Sequence, residues 1–209
     1  MNITLFGGSF NPPHLGHAIV IEQAFELIPN IDELWILPCF KHTFLKNLAP
    51  AKHRLAMANL LINTLSPNVQ TKVKCCPIEV DFRLSGETYA ALQKLHSERE
   101  YLQRKMDLSD HNSLFPIHYS FLMGSDQLGG FTKWGHWEIL LSQLPFYIYP
   151  RAGYTNDLKF LNMTLLDSPN QVITNLSSTL IRERIGKRLP IAHLVPKAVL
   201  QYLRVHKLY

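Results

Sequence analysis

Cysteine is scarce in this sequence, and long apolar runs are missing from it. Three of the 209 residues are cysteines, and they form no C-x-x-C pair, which argues against a disulfide framework and against a thiolate zinc site. No stretch reaches the roughly 18 consecutive apolar residues of a membrane-spanning helix. The apolar start at residues 3–6 is too short for a signal peptide. We therefore expect a soluble, cytoplasmic protein without a membrane partner.

Acidic residues are fewer than basic ones. Sixteen Asp and Glu against 21 Lys and Arg give a formal charge of +5, which suits an anionic partner. Nucleic acid would also suit this charge, but the basic residues are scattered. The densest cluster, residues 182–188, holds four of them and includes an acid. This distribution favours small phosphorylated ligands over nucleic acid.

Internal repeats and low-complexity tracts are also missing, and strand-like and helix-like segments alternate along the chain. Apolar patterns predict strands at residues 2–6, 33–38, 73–80, 117–124, 146–149 and 171–173, and helices at residues 15–27, 51–65, 87–96, 137–141, 177–185 and 196–205. The alternation predicts the α/β class: a doubly wound, Rossmann-like, mostly parallel sheet with helices on both faces. The length suits a single domain over residues 1–209, with a C-terminal helical part at residues 177–209.

Ligands of such sheets bind beyond the carboxyl ends of the strands, and the first predicted strand ends at Gly7 and Gly8. Glycine lets the backbone approach a phosphate closely, and the next helix offers free N–H groups and a positive dipole end. His14 and His17 share one face of its first turn. Together these features predict a polyphosphate site. The two histidines could instead bind a metal, although no Cys, Asp or Glu lies in the same turn, or they could cap or pack the helix.

A second candidate phosphate site lies at Ser177, Ser178 and Thr179, which open a later predicted helix. Hydroxyl side chains are favoured there as caps, but a cap needs only one of the three. The remaining hydroxyl and N–H groups can bind anionic oxygen, and Arg182 follows one turn later with a forked cation.

Residues 7–17 (GGSFNPPHLGH) resemble the H-x-G-H signature of the nucleotidyltransferase superfamily, and residues 176–182 (LSSTLIR) are similar to its I-S-S-T-x-I-R motif. The resemblance implies that His14 and His17 contact ATP phosphates and stabilise charge on the α–β bridge, while the second motif holds the β- and γ-phosphates. It also implies Mg²⁺ carried by ATP and water, with no metal ligand from the protein. The ATP-binding residues it implies are Gly7, Gly8, Ser9, Phe10, Gly16, Gly124, Asp126, Ser177, Ser178, Thr179 and Arg182.

Two further segments resemble one branch of that superfamily, the nicotinate and nicotinamide mononucleotide adenylyltransferases. Residues 78–89 (IEVDFRLSGETY) are similar to their E-x-x-R-x-G-x-S-Y-T region, and residues 123–128 (MGSDQL) to their G-x-D-x-L stretch. The resemblance implies adenylyl transfer from ATP to a pyridine mononucleotide, with release of pyrophosphate, in NAD biosynthesis. The acceptor-binding residues it implies are Lys46, Arg54, Thr88, Tyr89 and Trp134.

Several of these roles have alternatives in the sequence itself. An indole stacks well on an electron-poor pyridine ring, but Trp35 and Trp137 compete with Trp134 for that role. Asp126 either accepts ribose hydroxyl protons or caps the next helix. Lys46 and Arg54 either bind the acceptor phosphate or are solvated surface charges.

The sequence also departs from the family pattern. The usual P-P-H-K appears as residues 39–46 (CFKHTFLK), so Lys41, His42 and Lys46 all compete for the acceptor phosphate. Ala90 replaces the Thr of S-Y-T, which leaves the acid and the amide substrate both open. The polar residues 97–118 look like an insertion, in part an exposed helix extension and loop, that either reshapes the acceptor pocket or forms an oligomer contact.

Other functions stay open at this level. Pantetheine-phosphate adenylyltransferases share the histidine loop but are shorter and lack a comparable Trp134 region, and cytidylyltransferases differ in the base. A non-catalytic nucleotide sensor is a further alternative. No nucleophile and base pair is evident, and none is needed, because the acceptor phosphate has a second pKa of about 6 and is largely a dianion at neutral pH.

Overall fold

One parallel sheet organises the molecule. The computed structural model describes residues 1–42, 47–106 and 116–209. Within these residues the strands are β1 Asn2–Gly8, β2 Glu33–Pro38, β3 Val73–Cys75, β4 His118–Gly124, β5 Phe146–Tyr149 and β6 Met163–Leu165. Their order is β3-β2-β1-β4-β5-β6, and every neighbouring pair is parallel. The strand order reverses between β1 and β4, so the crevice between these two strands is where this class of sheet binds its ligands.

Helices connect the strands and pack on both faces of the sheet. They are α1 Leu15–Leu27, α2 Ala51–Ile62, α3 Pro67–Gln70, α4 Ile78–Asp81, α5 Thr88–Ser97, α6 Arg99–Met106, a 3₁₀ helix Ser125–Lys133, α7 Trp137–Gln143, α8 Ser178–Gly186 and α9 Lys197–Val205. The predicted doubly wound α/β class is confirmed. None of the helices described is long and apolar enough to cross a membrane.

One predicted strand is shorter than expected, and another is wrong. The strand expected at residues 73–80 ends at Cys75, because Pro77 offers no N–H to a strand ladder, and the short helix α4 follows it. The strand expected at residues 171–173 is irregular, since the Val172 N–H is bonded to the Gln23 side chain. The sixth strand lies earlier, at β6, where Met163 pairs with Phe146 of β5.

Successive side chains of a strand point to opposite faces of the sheet. Both faces are covered here, because apolar residues occupy both sets of positions. In β2, Trp35 and Leu37 belong to one buried cluster, together with residues from α5 and β4. Leu34 and Ile36 belong to a second cluster on the opposite face, with residues from α1 and α2. A third cluster joins α2 to the C-terminal helices α8 and α9. This third cluster brings the start of α8 to the sheet edge where β1 ends.

Residues 97–118, expected as an insertion, are described in part. Residues 99–106 form the helix α6, which agrees with the predicted helix extension. This helix is not fully exposed, because Leu102 is buried in the cluster that covers one face of the sheet. Residues 107–115 lie outside the described part of the chain.

Candidate active site

The end of β1 and the loop that follows it are closely packed. A Cβ atom at Gly7 would lie 2.7 Å from the Cζ atom of Phe121, so only glycine fits against this ring. Gly8 is likewise close to Phe10, whose ring is 1% exposed and 4.9 Å from the His17 ring. The side chain of Phe10 therefore supports His17 from inside the protein.

His14 and His17 lie together at the start of α1. The backbone N–H of His14 donates to Nδ1 of His17 at 3.1 Å, and the two rings stack with their centroids 3.8 Å apart. The two histidines form a reciprocal cap of α1, so the capping role that the sequence left open is observed. His14 is 2% exposed, and its Nδ1 atom, which faces the His17 backbone N–H, makes no well-aligned hydrogen bond among the described residues. Gly16 packs closely beside it, since a Cβ there would lie 3.0 Å from that nitrogen, a tighter contact than side chains usually make. A buried nitrogen without a well-aligned bond is a group that a ligand can satisfy.

Both imidazoles are uncharged at neutral pH in the free protein. Burial, the neighbouring His17 and the Arg151 cation hold the pKa of His14 well below its usual value. Burial and Arg151 lower the pKa of His17 to about 3. A polyphosphate placed against these rings would act in the opposite direction and favour their charged forms.

Arg151 follows β5 and was not among the residues that the sequence predicted. Its backbone N–H donates to Ser125 Oγ at 2.9 Å, and its guanidinium donates to the Leu176 carbonyl at 2.8 Å. Its Nε atom lies 3.6 Å from Oδ1 of Asp126. Arg151 thus links the end of β4 to the segment that enters α8. The sequence feature that could have identified Arg151 is its position just after a strand of a parallel sheet, where ligands bind.

The start of α8 is bonded to the β1–α1 loop. Ser177 caps the helix, since its Oγ accepts the Leu180 N–H at 3.2 Å. Ser178 Oγ donates to the Pro12 carbonyl at 2.8 Å. One of the three predicted hydroxyls is therefore a cap and a second holds the loop, so the two sequence motifs are in contact.

Arg182 makes a second connection between these segments. One of its terminal nitrogens donates to the Asn11 carbonyl at 2.7 Å, and the other donates to Thr179 Oγ1 at 3.1 Å. The N-termini of α1 and α8 are therefore held next to each other, each with a positive dipole end.

Gly124 and Asp126 occupy the end of β4. A Cβ at Gly124 would lie 2.2 Å from Asp126 Oδ1 and 2.8 Å from the Cδ of Arg151. Only glycine leaves room for this ion pair. Asp126 does not cap the 3₁₀ helix that it enters, since Gly124 is the N-cap and no side chain bonds there. The helix-cap alternative for Asp126 is therefore not observed.

Three loops meet at the other end of the crevice. A Cβ at Gly86 would lie 2.0 Å from the Lys41 carbonyl oxygen, so the loop after β2 rests on the loop before α5. The ring of Tyr89 lies 4.4 Å from that of His136, a residue in the left-handed conformation at the start of α7. Thr88 is the first residue of α5. The sequence missed His136, although its nearness to Trp134 was a signal.

The three tryptophans have different surroundings. Trp35 is 0% exposed and its indole N–H bonds to Glu33, so it is excluded as a stacking partner. Trp137 packs on the core ring of Phe131. Trp134 is half-buried at the edge of the core beside the same ring, 5.2 Å between centroids. Of the three, Trp134 is the one that directly follows β4 and its 3₁₀ helix at the crevice.

Arg54 is not the solvated surface charge that the sequence left open, and its donors are taken up by backbone carbonyls of the protein itself. Its side chain is 0% exposed. The guanidinium donates to the carbonyls of Ala49 at 2.9 Å, Ser9 at 2.8 Å and Phe40 at 3.0 Å. Arg54 therefore holds two loops together from inside. Its charge also acts on the buried carboxyl of Glu79: burial raises the pKa of Glu79 to about 7, and the Phe40 N–H and Arg54 act against this rise.

Lys46, the other residue expected at the acceptor phosphate, lies outside the described residues. The choice among Lys41, His42 and Lys46 stays open. In the described ranges, no group of three or more His, Cys, Asp or Glu side chains is placed to hold a metal ion.

Comparison with known proteins places the chain in a family. A family model described as cytidylyltransferase-like matches residues 5–184. Probable nicotinate-nucleotide adenylyltransferases of Methylacidiphilum infernorum and Myxococcus xanthus are each 30% identical to the chain, covering 99% and 100% of it and 91% and 95% of their own lengths. The structure of Plasmodium falciparum nicotinic acid mononucleotide adenylyltransferase complexed with NaAD superimposes with a TM-score of 0.77 at 23% identity, over 100% of this chain and 97% of that one. That likeness shows the shared fold, and the family model and the relatives together show that this chain belongs to the cytidylyltransferase-like family and, within it, to the nicotinate-nucleotide adenylyltransferases.

Proposed function

We propose that the protein transfers the adenylyl group of ATP to nicotinate mononucleotide and releases pyrophosphate, a step of NAD biosynthesis. An oxygen of the acceptor phosphate forms a bond to the α-phosphorus, and the bond from that phosphorus to the α–β bridging oxygen breaks. Pyrophosphate leaves with the bonding electron pair. The observation that carries the proposal is the meeting of two helix N-termini and two stacked, uncharged imidazoles at one crevice.

His14 and His17 are the proposed catalytic residues. Phosphoryl transfer depends on positioning and on charge stabilisation in line with the leaving group. The buried Nδ1 of His14 makes no well-aligned hydrogen bond within the described chain, so a phosphate oxygen gives it one. Phosphate charge raises the pKa of both rings, and an imidazolium then stabilises the negative charge that develops on the bridging oxygen.

The β- and γ-phosphates are proposed to bind at α8. Ser178, Thr179 and the N–H groups of the first helical turn present donors there, and Arg182 adds a charge-assisted bond. Gly7 and Gly8 at the end of β1, and Ser9 in the loop that follows, contribute backbone groups from the facing side. Mg²⁺ enters as part of the ATP substrate, held by phosphate oxygens and water.

The adenosine is proposed to bind beside β4. Asp126 accepts hydrogen bonds from the ribose hydroxyls, since its carboxylate lies at the carboxyl edge of the sheet and is 27% exposed. Gly124 lets the nucleotide and the carboxylate approach each other. The Asp126–Arg151 pair fixes the direction of this carboxylate.

The acceptor is proposed to bind where the three loops meet. The ring of Trp134 stacks on the pyridine, and the ring of Tyr89 borders the same space. The first turn of α5, a ten-residue helix that begins at Thr88, has no side-chain cap, because its N-cap residue Glu87 accepts a hydrogen bond from Ser85 Oγ at 3.3 Å instead. Its free N–H groups suit the carboxylate of nicotinate better than a neutral amide. A cation from residues 41–46 neutralises the acceptor phosphate.

A comparison of acceptors tests the proposal. The protein is incubated with MgATP and nicotinate mononucleotide, nicotinamide mononucleotide or 4′-phosphopantetheine, and pyrophosphate release and product mass are measured. We expect the fastest release with the nicotinate compound. A higher kcat/KM for the amide would overturn the carboxylate assignment, and a higher value for 4′-phosphopantetheine would overturn the pyridine acceptor. ATP binding without pyrophosphate release for any acceptor would mean a nucleotide sensor instead of an enzyme.

A further inference from the structure

The residues after α9 return to the nucleotide loop. Lys207 adopts a left-handed conformation with a φ of 50°, and two backbone bonds close the helix around it. The Lys207 N–H donates to the Arg204 carbonyl at 3.4 Å, and the Leu208 N–H donates to the Leu203 carbonyl at 3.1 Å. This pair of bonds is the Schellman arrangement, which ends a helix and reverses the chain. The reversal sends Tyr209 back across α9 toward the sheet edge.

Hydrophobic packing holds this return in place. The side chain of Leu208 is partly buried against the cluster that joins α2, α8 and α9, which includes Leu203 and Val199. A contact between the residue after the turn and the last helical turn commonly accompanies this motif. Tyr209 itself is 39% exposed, but its hydroxyl donates to the side-chain oxygen of Asn11, a residue that is 0% exposed.

Asn11 joins segments from four parts of the chain. Its Oδ1 also accepts the Ala49 N–H at 3.0 Å, and its side-chain NH₂ group donates to the Asn47 carbonyl at 3.3 Å. Its backbone carbonyl accepts from Arg182. The Asn11 amide therefore fixes the β1–α1 loop against the entry to α2, and Tyr209 supplies one of the two donors that orient its oxygen.

We propose that Tyr209 is a positioning residue for adenylyl transfer: its hydroxyl orients the Asn11 amide and thereby holds the loop that carries His14 and His17 in place for ATP. This inference rests on the proposed function. The hydroxyl touches no proposed substrate atom, and it acts through a side chain that begins three residues before His14. A buried amide that loses one of its partners gains alternative orientations, and the loop that it holds gains them as well.

Replacing Tyr209 by Phe tests this role, because it removes the hydroxyl and keeps the ring. Tyr101→Phe is the matched control, since it also removes one bonded tyrosine hydroxyl. Tyr101 lies on α6, away from the β1–α1 loop, and its hydroxyl donates to Asp81 at the end of α4. We expect Y209F to lower kcat/KM for ATP about fivefold, the typical effect of one hydrogen bond. The KM for the mononucleotide acceptor and the melting temperature should stay close to those of the control.

Hydrogen exchange provides a readout that does not depend on turnover. In the absence of nucleotide, amides in the peptide covering residues 8–17 should exchange faster in Y209F than in the wild type and in Y101F. Tyr209→Phe made in an Asn11→Ala background should add no further loss of kcat/KM for ATP, because the amide through which Tyr209 acts is then missing.

The outcomes separate this inference from the proposed function. If the wild type releases no pyrophosphate with any acceptor, the proposed function fails, and faster exchange in Y209F still supports the connection between Tyr209 and the loop. Unchanged exchange together with unchanged kinetics of Y209F overturns the inference. A fall in melting temperature with equal losses for both substrates also overturns it, because that result describes a general structural role.

Discussion

His17→Ala is the substitution that separates catalysis from folding most sharply. The proposed role of His17 is to stabilise charge on the leaving pyrophosphate, and removal of one such donor typically costs about 10²–10³ in kcat. We expect a loss in this range when pyrophosphate release is measured at saturating MgATP and nicotinate mononucleotide. His118→Ala is the matched control, since His118 is exposed and begins β4 at the opposite edge of the sheet.

The same change also has a cost to folding. The Nδ1 atom of His17 accepts the His14 N–H at 3.1 Å, a bond at the start of a helix that is worth about 1 kcal/mol, and the ring packs on those of His14 and Phe10. We expect a total loss of about 2–3 kcal/mol, and for a chain of this length each 1 kcal/mol lowers the melting temperature by about 2–4 °C. A variant that retains turnover within tenfold of the wild type would refute the catalytic role. A variant that no longer melts cooperatively would refute the structural estimate.

The pH dependence of stability gives an independent check on His17. The folded pKa is about 3, below the ordinary value of about 6.5 in the unfolded chain. The unfolded state therefore binds more protons below pH 6.5, and stability falls as the pH drops through that value. The slope is at most about 1.4 kcal/mol per pH unit for one imidazole. H17A should lose less stability than the wild type between pH 6.5 and 5, and parallel curves in urea unfolding would contradict the lowered pKa.

Three further substitutions test other parts of the site. Arg54→Ala leaves three backbone carbonyls without their buried donor, and we expect a loss of about 3–5 kcal/mol in urea unfolding; a normal stability with only a raised KM for the acceptor would restore the phosphate-binding role. Trp134→Ala should raise the KM for the pyridine mononucleotide up to about tenfold and leave that for ATP unchanged, whereas equal changes in both would argue against stacking. Gly124→Ala places a methyl group 2.2 Å from Asp126 Oδ1, so ATP affinity measured by calorimetry should fall at least about tenfold; unchanged affinity would remove Asp126 from the nucleotide site.

The sequence alone determined the fold class because the relevant signals are local. Helix α1 and strand β2 have the predicted bounds, since apolar periodicity and flanking proline and glycine residues mark their ends. The prediction of a strand at residues 171–173 is wrong because apolar side chains there suggested burial, whereas Val172 and Ile173 are about half exposed. Periodicity does not reveal which apolar segment finds a free sheet edge.

The same division holds for the site. The two phosphate motifs could be recognised from residue types and spacing, because helix starts and glycine turns have local requirements. Burial of Arg54, the ion pair of Asp126 with Arg151, and the bond from Tyr209 to Asn11 were set by the tertiary structure alone. Each of these contacts joins segments that are distant in sequence. The residue type of a charged or polar side chain does not reveal whether it faces a ligand or a backbone carbonyl.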